Sequence, residues 1–131
     1  MSEFNPASVR IIIVDDSDFS RSIIYKMLTE EGFQVVGEAS SAESALPMIN
    51  DKKPDIAIVD IVMPNVSGLE LMEKLNQSSP NVSVIVVSSL SQEHIVLDSI
   101  SAGASDFIAK PIQKHQLIDS VEKIMMERYK E

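Results

Sequence analysis

The chain has 131 residues and a formal net charge of −9 at pH 7, which is the size of a single domain. Its pI near 4.6 argues against a nucleic-acid-binding surface built on positive charge, and the sequence contains no apolar run near the roughly 18 residues of a membrane span. The lack of cysteine excludes disulfides and thiolate metal sites. We therefore expect one soluble, cytoplasmic domain over residues 9–131, preceded by a flexible tail over residues 1–8.

Short β-branched runs alternate with amphipathic segments along the chain. The predicted strands are Val9–Val14, Gln34–Ala39, Asp55–Asp60, Val82–Val87 and Asp106–Ala109. Apolar spacings of three and four predict helices over Ser20–Glu31, Leu69–Leu75 and His94–Ala102, and a last helix that contains Leu117, Ile118, Val121, Ile124 and Met125. Because strands alternate with helices, the chain is predicted to be an α/β protein with a parallel sheet covered by helices on both faces.

Local signals predict how two of the helices begin and pack. Ser40 and Glu43 have the spacing of a capping box, so a helix should begin there. Pro47 is expected to make that helix short, kinked or late in starting, because proline removes a backbone bond. In the first helix, an apolar stripe is expected to face the core; it consists of Phe19, Ile23, Ile24, Met27 and Leu28.

Polar residues interrupt the pattern where the strands end. Those residues are Asp15 and Asp16 after the first strand, Asp60 at the end of the third, Ser88 and Ser89 after the fourth, and Lys110 after the fifth. In open parallel sheets, ligands bind outside the carboxyl ends of the strands. Clustered carboxylates repel one another unless a cation lies between them, and oxygen ligands suit Mg²⁺.

These motifs resemble the receiver domain of response regulators, of the stand-alone chemotaxis (CheY-like) type. They are the Asp15-Asp16 pair, Asp60 within DIVMPNVSG, Ser88 after VIVV, and Lys110-Pro111 after GASDFIA. The resemblance covers about Val9 to Tyr129. It implies a doubly wound, flavodoxin-like fold with five parallel strands in the order 2-1-3-4-5.

The resemblance also implies roles for the acidic residues. Asp60 would be the nucleophile that accepts a phosphoryl group from a histidine kinase or a phosphotransfer protein and becomes an acyl phosphate. Asp16 and Asp60 would bind Mg²⁺ directly and Asp15 mostly through water. The backbone carbonyl of Val62 would complete the protein ligands.

Further roles follow from the resemblance for residues near the end of the sheet. Lys110 would neutralise the phosphoryl charge and Ser88 would hydrogen-bond its oxygens, while Pro111 would follow a cis peptide bond. Ser88 would then move toward the phosphoryl group and Phe107 would turn inward. The altered face, made by helix four, strand five and helix five, would bind a protein target. The chain is expected to be a monomer, and dimerisation on phosphorylation is left open.

The resemblance implies a phosphoacceptor module that catalyses only its own phosphorylation and dephosphorylation. The alternative is a Mg²⁺-dependent phosphohydrolase with an aspartyl-phosphate intermediate. Enzymes of the haloacid-dehalogenase type have a second aspartate two residues after the nucleophile, where this chain has Val62. A flavodoxin-like FMN carrier is disfavoured because the acidic residues over 15–18 would repel the FMN phosphate.

Several residues have a simpler reading as well. Asp15 and Asp16 could simply cap the following helix, because aspartate is a favoured N-cap residue. Lys110, taken alone, would be a solvated surface lysine. His94 and His115 are expected to be solvated. On the fourth helix, the apolar residues either pack in the core or form an exposed patch for a partner, and the patch is favoured; these residues are Ile95, Val96, Leu97 and Ile100.

Overall fold

A computed structural model describes residues 5–61, 68–79, 81–90 and 92–129 of the chain. Helices and strands alternate throughout, as the sequence predicts. After a 3-10 turn over Pro6–Ser8, the elements are β1 (Arg10–Val14), α1 (Asp18–Glu30), β2 (Gln34–Ala39), α2 (Ala42–Lys52), β3 (Ile56–Asp60), α3 (Gly68–Ser78), β4 (Ser83–Ser88), α4 (Glu93–Ser101), β5 (Asp106–Ala109) and α5 (Lys114–Tyr129).

The described strands form one five-stranded sheet in the order β2-β1-β3-β4-β5. All four strand pairs are parallel, so the carboxyl ends of the strands lie along one edge. At that edge the register pairs Asp60 with Val87 and Ser88 with Ala109. The predicted strand order and the predicted parallel sheet are both confirmed.

Helices cover both faces of the sheet and enclose two apolar cores. Alternate residues of each strand point to opposite faces, so Ile11 and Ile13 of β1 join one core while Ile12 and Val14 join the other. The first core contains buried residues of α1 and α5, and the second contains buried residues of α2 and α3. Burial on both faces explains why the strands are apolar at consecutive positions.

The structure corrects the predicted start of α2. The helix is capped by Ser41, whose hydroxyl oxygen accepts a hydrogen bond from the amide of Ser44, and not by a box between Ser40 and Glu43. The helix then continues for 11 residues through Pro47, so the expectation of a short or late helix is wrong. Proline removes only one backbone bond, and burial of one face of the helix, including Ile49, offsets this loss.

The apolar stripe of α1 is only partly buried. Ile24 and Leu28 are fully buried, whereas the side chain of Phe19 is 76% exposed. Phe19 lies in the first turn of the helix, directly after Asp18, whereas the buried residues Ile24 and Leu28 lie further along it. The prediction that Phe19 faces the core is therefore wrong.

Two glycines follow the ends of helices, and the two histidines are exposed as predicted. Gly32 follows the end of α1 and Gly103 follows that of α4, and both have positive φ angles, of 90° and 111°, as expected for glycine after a helix. His94 and His115 are exposed. In the described ranges, none of the helices has both the length and the apolar character needed to cross a bilayer.

Candidate functional site

Asp15 lies directly after β1 and is completely buried. Its amide donates a hydrogen bond to the carbonyl of Ala39 over 3.0 Å, which extends the pairing of β1 with β2. Its Oδ1 accepts a hydrogen bond from the amide of Ser17 over 2.9 Å, and its Oδ2 accepts one from the Lys110 ammonium over 2.9 Å. Both carboxylate oxygens therefore have fixed donors, and the side chain is held toward β3.

Asp16 is exposed, whereas Asp15 is buried. Neither residue caps α1, because the N-cap is Ser17, whose hydroxyl oxygen accepts a hydrogen bond from the amide of Ser20. The simpler reading of the acidic pair as a helix cap is therefore wrong.

Asp60 is the last residue of β3, and only 7% of its surface is exposed. The Lys110 ammonium donates to its Oδ2 over 3.0 Å. Lys110 reaches this position from the segment after β5, where its amide donates to the carbonyl of Ser88. Residues that are 50 and 95 positions from Lys110 in sequence thus meet at one ammonium group, so the reading of Lys110 as a solvated surface lysine is wrong.

The electrostatic surroundings keep Lys110 charged. Burial alone would lower the pKa of Lys110, but hydrogen bonds to Asp15 and Asp60, together with the charges of these two carboxylates, raise it above its ordinary value. The ammonium is therefore a permanent cation at physiological pH.

The three aspartates form a group that fits a divalent cation. Asp15, Asp16 and Asp60 each offer a carboxylate oxygen, and these oxygens all lie within 4.8 Å of one another. Oxygens bound to one octahedral Mg²⁺ are about 3 to 4.2 Å apart, so the spacing of this group is close to that of the ligands of one ion. The exposed Asp16 leaves room for the water ligands that Mg²⁺ retains.

Ser88 is the last residue of β4, and Phe107 lies on the neighbouring strand β5, two residues before its end. Ser88 is buried, and its hydroxyl oxygen accepts a hydrogen bond from the amide of Leu90 over 2.9 Å. Phe107 is partly buried and packs against the core on the α2–α3 side of the sheet. The peptide bond before Pro111 is cis, as expected. Val62, whose carbonyl was assigned to the metal, lies outside the described residues.

Sequence reasoning missed two features beside the aspartates. Arg21 donates from Nη1 to the carbonyl oxygen of Asp15 over 2.7 Å; an arginine within the first helical turn after an acidic pair is the signal that would have drawn attention to it. The second is an apolar groove of about 290 Å³ between the start of α1 and the segment after β5. Its lining includes Phe19, Ile23 and Pro111, and Lys110 is shared with the aspartate group.

Comparison with known proteins agrees with the resemblance in the sequence. Residues 11–122 match the model of the response regulator receiver domain. The chain belongs to this family. It is 36% identical over 115 residues to the chemotaxis protein CheY of Thermotoga maritima, which covers 88% of this chain and 96% of that protein.

Solved structures of receiver domains share the fold. A CheY-like receiver domain protein from Methanospirillum hungatei superposes with a TM-score of 0.86 at 30% identity, over 93% of this chain and 97% of that one. CheY of Borrelia burgdorferi, crystallised with CheX, BeF₃ and magnesium, gives a TM-score of 0.85 at 30% identity, over 88% of each chain. The aspartate group of this receiver domain therefore lies in a fold for which a complex with magnesium is known.

Proposed function

We propose that this receiver domain is the phosphoacceptor of a two-component phosphorelay and that Asp60 receives the phosphoryl group. The observation that supports this most directly is the Lys110 ammonium held between Asp15 and Asp60 at 2.9 and 3.0 Å. An ammonium held at the nucleophile is placed to neutralise charge as a phosphoryl group arrives.

In the proposed step, a carboxylate oxygen of Asp60 attacks the phosphorus of a phosphohistidine. A P–O bond forms as the P–N bond breaks, and the imidazole of the donor leaves with the electron pair. Lys110 balances the negative charge on the phosphoryl oxygens, and the burial of Asp60 limits access of competing water. Mg²⁺, bound by the aspartate group, would supply further charge neutralisation.

The apolar groove is the docking site that we propose for the phosphohistidine donor. The groove and the aspartate group share Lys110, so a protein seated on the groove has its reactive side chain close to Asp60. Phe19 is 76% exposed at the rim of the groove, and an exposed aromatic side chain is a typical anchor of protein interfaces. This proposal explains why a large apolar residue is left in solvent.

The proposed output surface lies on another side of the molecule. Leu97 and Ile100 of α4 are 59% and 48% exposed, whereas Ile95 packs against the core on the α2–α3 side of the sheet, so the predicted patch is present only in part. We propose that phosphorylation shifts Ser88 and Phe107 and thereby changes the α4–β5–α5 face for a protein target. The hydrogen bond from Leu90 to Ser88 supports a link, because moving the Ser88 hydroxyl would release the segment that leads to α4.

Two phosphate donors test this proposal together. Acetyl phosphate with Mg²⁺ should add one phosphoryl group to the wild-type chain by mass spectrometry, and Asp60→Asn should abolish the addition. Phe19→Ala should slow transfer from a phosphorylated histidine kinase about tenfold, the effect of losing an interface anchor, while leaving transfer from acetyl phosphate unchanged.

Tyr25→Ala provides the matched control, because Tyr25 is the other exposed aromatic residue of α1 among the described residues. This variant should react normally with both donors. Equal labelling of Asp60→Asn and wild type would contradict the assignment of the phosphoacceptor. Equal transfer from the kinase to Phe19→Ala and wild type would contradict the assignment of the groove.

We also propose that the protein does not turn over external phosphate esters. The phosphohydrolase alternative predicts that each chain hydrolyses many molecules of an aryl phosphate with Mg²⁺. The receiver proposal predicts that each chain releases at most one phosphate within the lifetime of its acyl phosphate. A steady-state phosphate-release assay separates the two. The cytoplasmic location and the monomeric state stay predictions from the sequence.

A further inference from the structure

The guanidinium of Arg21 joins three parts of the chain behind the aspartate group. It donates from Nη1 to the carbonyl oxygen of Asp15 over 2.7 Å, and it forms ion pairs with Asp18 and, over 3.5 Å, with Glu38. Its acceptors thus belong to the end of β1, the first turn of α1, and β2. The side chain of Arg21 is only 16% exposed, whereas the side chains of Asp18 and Glu38 are 92% and 39% exposed. The contact with the buried Asp15 is therefore the best shielded of the three.

The carbonyl of Asp15 belongs to the peptide group that links Asp15 to Asp16. A hydrogen bond to this oxygen fixes the plane of the peptide and therefore the direction in which the next residue leaves the strand. Asp16 is exposed, so packing does not hold its side chain as it holds Asp15. The position of the Asp16 carboxylate depends mainly on its own backbone.

We propose that Arg21 is a positioning residue for the cation site, and that it acts by fixing the Asp15–Asp16 peptide so that the Asp16 carboxylate faces Asp60. This inference rests on the proposed Mg²⁺ binding. It goes further by assigning a role to a residue that does not touch the cation. The ion pair with Glu38 fixes the guanidinium itself and ties the loop to β2.

The direction in which Mg²⁺ affinity changes when Arg21 is replaced distinguishes a positioning role from a purely electrostatic one. Arg21 is a cation close to a site for a cation, so its charge alone opposes Mg²⁺ binding. Removing that charge would strengthen Mg²⁺ binding if the charge were the whole effect. If Arg21 positions Asp16, its removal instead weakens binding.

The test uses the full chain and Mg²⁺ alone, titrated while backbone amide resonances are followed by NMR. Arg21→Gln should weaken Mg²⁺ binding by about tenfold, the lower end of what partners of metal ligands contribute. Arg21→Lys, which keeps the charge but cannot bridge three acceptors, should fall between Arg21→Gln and wild type. A Mg²⁺ affinity of Arg21→Gln equal to or above that of wild type would overturn the proposal.

A second readout needs no Mg²⁺. Hydrogen exchange of the Ser17 amide, which donates to Asp15, should accelerate in the metal-free Arg21 variants, whereas unchanged exchange would count against positioning. If Arg21→Gln does not fold, Arg21→Lys decides the question, and full Mg²⁺ affinity in that variant would count against the proposal.

Arg128→Gln is the matched control, because Arg128 also bridges several elements through carbonyl and carboxylate oxygens but lies at the opposite edge of the sheet. It should bind Mg²⁺ with wild-type affinity, and weakened binding there would show that a general loss of stability explains the Arg21 result. Failure of wild type itself to bind Mg²⁺ would refute the proposed function; normal binding by wild type and by the Arg21 variants would refute this inference alone.

Discussion

The two edges of the sheet differ in how their charged residues are arranged. At the carboxyl edge, Asp15 and Asp60 lie buried on either side of the Lys110 ammonium, with a third carboxylate close by. At the amino edge, Asp55 is enclosed by backbone and arginine donors, including Arg128. The carboxyl edge gathers three carboxylates around one ammonium, an excess of like charge, whereas the amino edge pairs one carboxylate with one guanidinium.

The contacts at the amino edge connect the ends of four elements, β1, β3, β4 and α5. Asp55 accepts from the amide of Arg10 over 2.9 Å and from Arg128 over 3.4 Å. Arg128 also donates to the Asp55 carbonyl, the Asn81 carbonyl and the Ser83 hydroxyl. The end of α5 is thereby attached to the starts of β3 and β4. This edge has the character of a structural clamp.

The contrast distinguishes a charged cluster that stabilises the fold from one in which like charges oppose folding. Clustered carboxylates repel one another unless a cation lies between them, and a sheet edge selected only for stability would resemble the amino edge. The three aspartates have the arrangement that suits a divalent cation, and the proposed phosphorylation of Asp60 would use that cation. Variants at the two edges should consequently change different measurements.

The largest expected effect is at the carboxyl edge. Lys110→Gln removes the ammonium beside Asp60, so the rate of phosphorylation by acetyl phosphate should fall by about 100-fold, the loss typical for a single charge-stabilising donor. Lys114→Gln is the control, because Lys114 is a more exposed lysine paired with Glu30 and Glu31. A normal rate in Lys110→Gln, followed by mass spectrometry, would remove Lys110 from the mechanism.

At the amino edge, Arg128→Gln should act on stability alone. Loss of the charged hydrogen bonds to Asp55 and Ser83 is expected to lower the free energy of unfolding by about 1–3 kcal/mol, measured by urea denaturation. The rate of phosphorylation by acetyl phosphate should be unchanged. A slower rate without a loss of stability would show that the two edges are not independent.

The smallest effect is expected for Asp16→Asn. Removing one of three neighbouring charges should raise the unfolding free energy in Mg²⁺-free buffer by up to about 1 kcal/mol, because Asp16 is exposed and screened by water. The stabilisation that wild type gains from added Mg²⁺ should be largely lost. Lower stability of Asp16→Asn in Mg²⁺-free buffer would mean that the carboxylates do not repel one another.

The sequence predicts the site well because the strand ends determine it. Apolar runs locate the strands, and the parallel arrangement brings Asp15, Asp60 and Lys110 to one edge however far apart they are in sequence. Strand boundaries were off by at most one residue at either end, because the apolar runs and the hydrogen-bonded ladders nearly coincide.

Other features depend on contacts that periodicity does not describe. Phe19 is exposed in the first turn of α1, before the buried residues Ile24 and Leu28, and a 3.6-residue pattern does not show where along a helix burial begins. The cap of α2 is Ser41 and not Ser40. The sequence does not distinguish the two, because either serine side chain can cap a helix and the tertiary structure determines which one does. The contact of Arg21 with the Asp15 carbonyl is invisible to patterns of side chains because its acceptor is the backbone.

The most direct test of the account is the identity of the phosphorylated residue. Wild-type protein is treated with acetyl phosphate, in one sample with Mg²⁺ and in another with a chelator. Borohydride then reduces an acyl phosphate on aspartate to homoserine. The modified residue is located by peptide mapping with mass spectrometry. The account predicts homoserine at position 60 in the presence of Mg²⁺ and none with the chelator. Modification at another residue, or modification of Asp60 that is equal without Mg²⁺, would contradict it.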